Sequence, residues 1–409
     1  MALVPVAEAL ARLLAATVPI QGRTRSIEHV PLAEAFGRVL AEDLVAGRSQ
    51  PPFDASAMDG YAVRAGDSLA GAVLTVTGQS AAGHAFKGEV GAGEAVRIFT
   101  GAPVPSGADT ILIQENAESL AANRIKVVVP ATPNRHIRRP GLDFNAGDRL
   151  LEAGLLLDAG RLTLAAAMNR PTVPVLRKPR VAILATGDEL VAAGETPGDD
   201  QIIASNTVGI AAILSAAGAN ILDLGIVPDR QAAIEAAIAK ARNEGCDVLV
   251  TVGGASVGDH DLVQAALVAS GMTLDFWKIA MRPGKPLMSG RFGALQVLGL
   301  PGNPVSSLVC THLFAVPLVK ALLGLPPGPH LRKAALGTDL PANDMRQDYL
   351  RASLSRDPSG GFIASPFSPQ DSSMMRLFSL ADCLVVRPPH APAAASGEPC
   401  DVLVLRTLD

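Results

Sequence analysis

Residues 251 to 261 read Thr-Val-Gly-Gly-Ala-Ser-Val-Gly-Asp-His-Asp, three glycines and two aspartates placed directly after a strand-length apolar run. Gly253, Gly254 and Gly258 allow backbone N–H groups to approach an anion closely, and nearby helix N-termini add partial positive charge. Lys278, Arg282 and Lys285 supply full charges for a phosphate or oxyanion. Asp188, Glu189, Asp229, Asp259 and Asp261 repel that anion unless a divalent cation sits between them; Mg2+ held by one or two carboxylates plus substrate phosphates is the common solution. The set therefore predicts a phosphorylated ligand held with a metal. Each feature also has a plainer reading. Glycines after strands often form simple turns, and neither GxGxxG nor a Walker sequence is present. Asp188 and Asp229 are equally suited to helix caps. His260 alone is weak evidence for a metal, and the Arg135-His136-Ile137-Arg138-Arg139 cluster reads as an exposed loop.

What favours the chemical reading is the order of elements that must position these residues. Four apolar runs, RVAILATG, ANILDLGIV, CDVLVTVGG and ALQVLGLPG, alternate with helical patterns over 205–217, 230–244 and 261–270, each closed by glycine. Strands buried on both faces and alternating with helices predict a parallel sheet covered by helices. Ligands of such sheets bind outside the carboxyl ends of the strands. Thr186-Gly187-Asp188-Glu189, Pro228-Asp229, the glycine loop and Pro301-Gly302-Asn303-Pro304 all follow strands, with the lysine stretch between the last two, so five loops are expected on one rim.

The rest of the chain is organised around that region. Two helices are expected at the start, the second across 31–40. A β-rich module follows from about 50 to 140, then a linker at 169–179 with three prolines in eleven positions. After the sheet a long helix, 305–323, leads to a second linker at 324–329 and a final set of short strands. The β-rich module carries its own constellation, PPFDASAMDGYAV at 51–63 and RIFTGAPVP at 97–105, in which Asp59-Gly60 reads on physics alone as a turn before a strand.

Composition removes several classes. At 409 residues the chain predicts two to four domains, and 48% hydrophobic against 18% charged residues is ample for folded cores. The net charge of −4, without a basic run, argues against nucleic acid. Cys246, Cys310, Cys383 and Cys400 are far apart, which fits free thiols in a reducing cytosol better than disulfides or a zinc site. Residues 1–20 read as an amphipathic helix rather than a signal peptide, and no uninterrupted apolar stretch of about 18 residues predicts a membrane span.

The six motifs PPFDASAMDGYAV, RIFTGAPVP, ATGDEL, VGGASVGDHD, RPGKP and GLPGNPVS, in that order and at those distances, resemble the molybdenum insertases (molybdopterin molybdotransferases) of molybdenum cofactor biosynthesis, relatives of the insertase domain of gephyrin. The resemblance covers roughly residues 5–405. It implies an α/β multidomain protein: an elongated helical and β domain from 1–45 and 141–178, an inserted β-rich domain at 46–140, an α/β molybdopterin-binding domain at 179–328 and a C-terminal β-barrel-like domain at 329–409. It implies a cytoplasmic homodimer, with the inserted domain of one subunit over the α/β domain of the other and transient contacts to a molybdopterin adenylyltransferase or acceptor molybdoenzymes. The implied reaction moves molybdenum from molybdate into adenylylated molybdopterin with Mg2+, releasing AMP; the alternative is a non-catalytic molybdopterin-binding or scaffolding protein. Matching motifs carry catalytic roles onto Asp59, Thr100, Glu189, Asp229, Asp261, Lys278 and Arg282. Ligand contacts fall on Thr186, Gly187, Ser205, Asn206, Gly253, Gly254, Ser256, Gly258, Lys285, Pro301, Gly302, Asn303 and Pro304, and Mg2+ on Asp188, Glu189, Asp229 and Asp261. Three departures stand out: Arg282 replaces a common lysine, Ile202-Ile203-Ala204 replaces a more usual Tyr-Asp before Ser205-Asn206, and Ala55 replaces a common asparagine.

Overall fold

The four apolar runs become the strands Arg180–Thr186, Asn220–Val227, Val248–Val252 and Leu295–Leu300, in a computed structural model that describes residues 3–22, 26–253, 262–329 and 331–406. The chain forms two units, Met1–Glu28 with Leu176–Asp409, and His29–Val175. In the first unit the sheet order is 220–227, 180–186, 248–252, 295–300, 288–292, 273–277. The first four strands are parallel. Met288–Phe292 then runs antiparallel to 295–300, and Thr273–Trp277 antiparallel to it in turn. The expected parallel sheet is thus a mixed one, extended by a hairpin whose short, mixed-polarity strands, TLDFW and MSGRF, lack the long apolar run that marks a doubly covered strand. Two antiparallel steps restore direction, so Trp277 ends at the same rim as Thr186, Val252 and Leu300.

The strand 180–186 is buried almost throughout because helices cover both sheet faces. Ala182, Leu184, Leu249 and Val297 pack against Ile234, Ile238, Val263 and Leu267 from the helices Gln231–Asn243 and Leu262–Ala269. The helical stretch Pro304–Leu322 is long and apolar enough to cross a membrane, yet 78% of its apolar window is buried inside this unit, so it serves as a core helix. It widens to a π-turn at Thr311–Ala315, immediately before Pro317, which has no N–H to give an α-helical ladder.

The C-terminal strands 347–356, 362–366, 331–336, 399–404 and 383–387 pair in that order, and 347–356 also pairs with 383–387, which closes a five-stranded barrel. A short strand from the α/β part, Met281–Arg282, pairs with its Gln347–Arg356 strand.

The second unit holds a six-stranded sheet, ordered 110–113, 60–63, 94–98, 73–80, 124–127, 117–120. It carries a core on each face, one around Ile98 and Ile111, the other around Leu74 and Ile125. Two expectations are corrected here. The helix across 31–40 is only a single 3-10 turn at Leu32–Glu34; Gly37 then takes φ +71, and Val39 and Leu40 form β-bridges with Leu156 and Val175. The apolar spacing was helical, but burial of Leu40 against Val173 and Val175 favours extended backbone. The 169–179 linker contains a strand, Thr172–Leu176, paired with Ile27–Pro31. Pro174 fits because a strand needs its carbonyl there, which accepts from the Ala41 N–H.

Candidate active site

Loops from three adjacent strand ends and the start of the following helix enclose a cleft of about 420 Å³. Thr186 and Glu189 come from the first strand's loop and Gly253 from the third; Gly302, Asn303 and Pro304 come from the fourth, and Ser205 and Asn206 enter at the start of the helix Asn206–Ala216. The Asn206 amide donates to the Gly302 carbonyl at 2.7 Å, joining two of these loops. Gly253 and Gly302 face each other so closely that a Cβ on Gly302 meets the Gly253 Cα at 3.7 Å. Gly253 itself sits at φ +94, and a Cβ there lies 2.6 Å from the Thr186 carbonyl oxygen. Gly253→Ala is therefore expected to cost about 1–3 kcal/mol and weaken ligand binding, which a thermal melt and a titration with a pterin ligand would measure; an unchanged melt and affinity would remove the backbone approach from the site's design.

One wall is apolar. Leu190–Val191 and Ile202–Ile203 pair as a small parallel ladder beside the cleft. Ile202 and Ile203 are 58% and 37% exposed, a cost that a flat apolar ligand face would offset on binding. The same lining also offers polar groups, including the Thr186 hydroxyl, which is buried without a hydrogen-bond partner.

The acids gather at the neighbouring strand ends. The Asp229 N–H donates to Asp188 Oδ1 at 3.1 Å. Burial, followed by the charges of Asp188 and Glu189, pushes the Asp229 carboxyl above its ordinary range. Among the described residues no three acidic, His or Cys groups converge as a complete metal cage. The donor set nonetheless fits Mg2+, which takes hard oxygens and commonly uses one or two carboxylates with substrate phosphates; a dication relieves the repulsion felt at Asp229. Gly254, Ser256, Gly258 and Asp261, with Asp259 and His260, lie outside the described residues.

The cations lie further along the same rim. Neighbouring strands are about 4.8 Å apart, so the rim from Thr186 to Trp277 runs roughly 19 Å. Lys278 follows Trp277, stacks over its ring at 4.4 Å and adopts φ +73. Lys285 is exposed on the returning segment. Arg282 points away from this group, into ion pairs with Asp344 and Asp348 of the barrel. Gly187 and Pro301 flank the cleft within its loops. Asp59 and Thr100 meet each other in the second unit: Asp59 Oδ1 accepts the Thr100 N–H at 2.7 Å and its hydroxyl at 2.9 Å, which holds the Asp59 carboxyl below its usual range.

Sequence reasoning missed the barrel's share. Ser373 lines the cleft. Ser372 accepts the Asn303 amide at 2.9 Å through its hydroxyl and the Val305 N–H through its carbonyl. Arg351, 1% exposed, binds Gln370 and the Met374 carbonyl just behind. The only sequence signal was the turn-rich SPQDSS, 70 residues beyond the loop it meets.

A mixed α/β domain with a cleft at its carboxyl rim, walled in part by a C-terminal barrel, defines a multidomain α/β protein with a candidate ligand site at the strand ends. Family models place it further: "MoeA N-terminal region (domain I and II)" matches residues 4–169, "Probable molybdopterin binding domain" 182–321 and "MoeA C-terminal region (domain IV)" 333–405. The molybdopterin molybdenumtransferase of Haemophilus influenzae is 35% identical over 92% of this chain and 96% of its own. That of a Nostoc species is 36% identical over 95% and 91%. The crystal structure of a molybdopterin biosynthesis moeA protein from Pyrococcus horikosii superposes with TM-score 0.83 at 31% identity, covering both chains in full. The chain belongs to the molybdopterin molybdenumtransferase family and is a transferase of molybdenum cofactor biosynthesis.

Proposed function

We propose that the chain inserts molybdenum from molybdate into adenylylated molybdopterin in the presence of Mg2+, releasing AMP and the finished cofactor. The observation that carries this reading is the cleft, lined by both apolar and polar groups, at one end of a roughly 19 Å rim whose other end bears Lys278 and Lys285. A pterin is flat and suits the apolar wall of Ile202 and Ile203. A pyrophosphate suits the Gly253 and Gly302 backbone, and a molybdate dianion suits the lysines.

In this reading Thr186, Asn206 and Asn303 orient the pterin end by hydrogen bonds, and Ser205 and Pro304 shape the wall. Asp188, Glu189 and Asp229 would hold Mg2+, which supplies charge neutralisation at the phosphoanhydride. The two dithiolene sulfurs bond to molybdenum as one oxide of molybdate leaves as water, carrying the two thiol protons; a second water cleaves the phosphoanhydride bond, giving AMP and the terminal phosphate of the molybdenum-loaded pterin. Asp59 and Thr100 act from a second copy of the chain, as the family resemblance implies.

Purified protein given adenylylated molybdopterin, molybdate and Mg2+ is expected to release AMP in a molybdate-dependent manner, read by chromatography. Release at the level of a blank without molybdate would reject the transferase reading, and tight pterin binding without release would favour the non-catalytic alternative.

A further inference from the structure

The segment that returns the chain from Trp277 to Met288 is fastened on both sides. The Lys278 N–H donates to the Leu287 carbonyl at 3.0 Å and the Ile279 N–H to the Lys285 carbonyl at 2.9 Å, so Lys278 and Lys285 sit together at the base of a hairpin. On one side the N-terminal segment holds it: Val4 N–H donates to the Lys278 carbonyl at 3.2 Å, and Ala280 N–H to the Val4 carbonyl at 2.8 Å. On the other, Met281 and Arg282 pair with Gln347 and Asp348 as an added strand of the barrel.

Arg282 completes this second fastening. Its guanidinium donates to Asp348, to Asp344 at 3.3 Å and to Asn343 Oδ1 at 3.3 Å. Asp348 is 4% exposed, and its Oδ1 is buried with no hydrogen-bond partner. Among the described residues Arg282 is the cation that pairs with this buried carboxylate, while Lys278 and Lys285 form no ion pair. A guanidinium suits the task because its planar fork reaches two acids and an amide at once, which a lysine ammonium on a flexible stem does less well.

We propose that Arg282 is a positioning residue: paired with buried Asp348, it latches the lysine hairpin to the C-terminal barrel, holding Lys278 and Lys285 over the same rim that the barrel's Ser372 and Ser373 wall. Only the kinetic readout of this proposal rests on the molybdenum-transfer reading.

The test compares Arg282→Met, Asp348→Asn, their combination and Arg282→Lys in the full chain, using molybdate-dependent AMP release and amide hydrogen exchange of the substrate-free protein. A latch predicts that Arg282→Met and Asp348→Asn each raise the KM for molybdate about tenfold with little change in kcat, and that the double variant is no worse than either. Both also speed exchange over 278–282, and Arg282→Lys recovers part of each effect. If Arg282 instead touched the oxyanion, Arg282→Met would abolish activity while Asp348→Asn, by freeing the guanidinium, would leave KM unchanged or lower it; that pattern overturns the latch. If the wild type releases no AMP, the transfer reading falls, yet unchanged exchange in both single variants would still overturn the latch on its own. Should Asp348→Asn fail to fold, Asp344→Asn takes its place, with a smaller rise expected and an unchanged KM and exchange counting against the proposal.

Discussion

Asp59→Asn is expected to lower molybdate-dependent AMP release by about 10²-fold while moving the melting temperature by less than about 3 °C. The reasoning is local. Asp59 Oδ1 accepts both the Thr100 N–H and the Thr100 hydroxyl, and an asparagine carbonyl oxygen in the same place can accept both. The turn survives and the negative charge goes. Hydrogen bonding from Thr100, first through its backbone and then through its hydroxyl, depresses the Asp59 carboxyl in the folded chain. A depressed acid stabilises the fold above its unfolded value, and that contribution is lost as pH falls through the folded one. Asp59→Asn should therefore lower the neutral-pH melt slightly, within those few degrees, and flatten part of the fall on the acid side, where wild type and variant converge. Asp59→Ala removes the acceptor as well and should perturb both melt and activity. Normal AMP release by Asp59→Asn would return the residue to the role of fixing a turn.

The sheet that positions the candidate site is legible in the sequence, and the reason is physical. Runs such as Val181–Ala185 and Val248–Val252 are buried at every position and apolar at all but Thr251, because helices cover both sides of the sheet, and alternation with helical patterns marks them as strands of a covered sheet. Their loops then fall on one rim by topology alone. The misreadings share a cause. Leu32, Phe36, Val39 and Leu40 have helical spacing, but Phe36 is 70% exposed and Leu40 fully buried, so tertiary pairing, which spacing does not encode, decided the backbone. Pro171, Pro174 and Pro179 looked like a linker because proline breaks ladders, yet a strand tolerates it where the neighbouring segment needs only the proline carbonyl, as Ala41 does of Pro174. Arg282 reads as one more rim cation until Asp344 and Asp348, more than 60 residues later, are seen to hold it. Ser372 and Ser373 reach the cleft only through the barrel's closure, a long-range event that leaves no local trace.

The opposite signature is expected at the other end of the same strands. Asp247 precedes the strand Val248–Val252, five residues and so roughly 16 Å from the cleft end. Its carboxylate takes both arms of Arg177, at 2.7 and 2.8 Å, and the Arg180 N–H at 2.8 Å, and it is 4% exposed. Its backbone joins the sheet as well, donating to the Arg180 carbonyl at 2.8 Å and accepting the Gln296 N–H at 2.9 Å. Asp247→Ala keeps these backbone bonds but leaves a partly buried guanidinium and a backbone N–H without their acceptor. Breaking one side of a buried, bidentate pair costs about 3–5 kcal/mol, which for the unit carrying the sheet is a fall of roughly 10 °C in its transition. Because the lost contacts tie strand starts rather than rim loops, AMP release per folded molecule should stay near the wild-type level when assayed well below that transition. Calorimetry with parallel assays separates the outcomes: an unmoved transition would show the pair to be dispensable. A loss of specific activity in fully folded protein would mean that strain at the amino ends of the sheet reaches the cleft, which rigid strands packed on both faces should prevent.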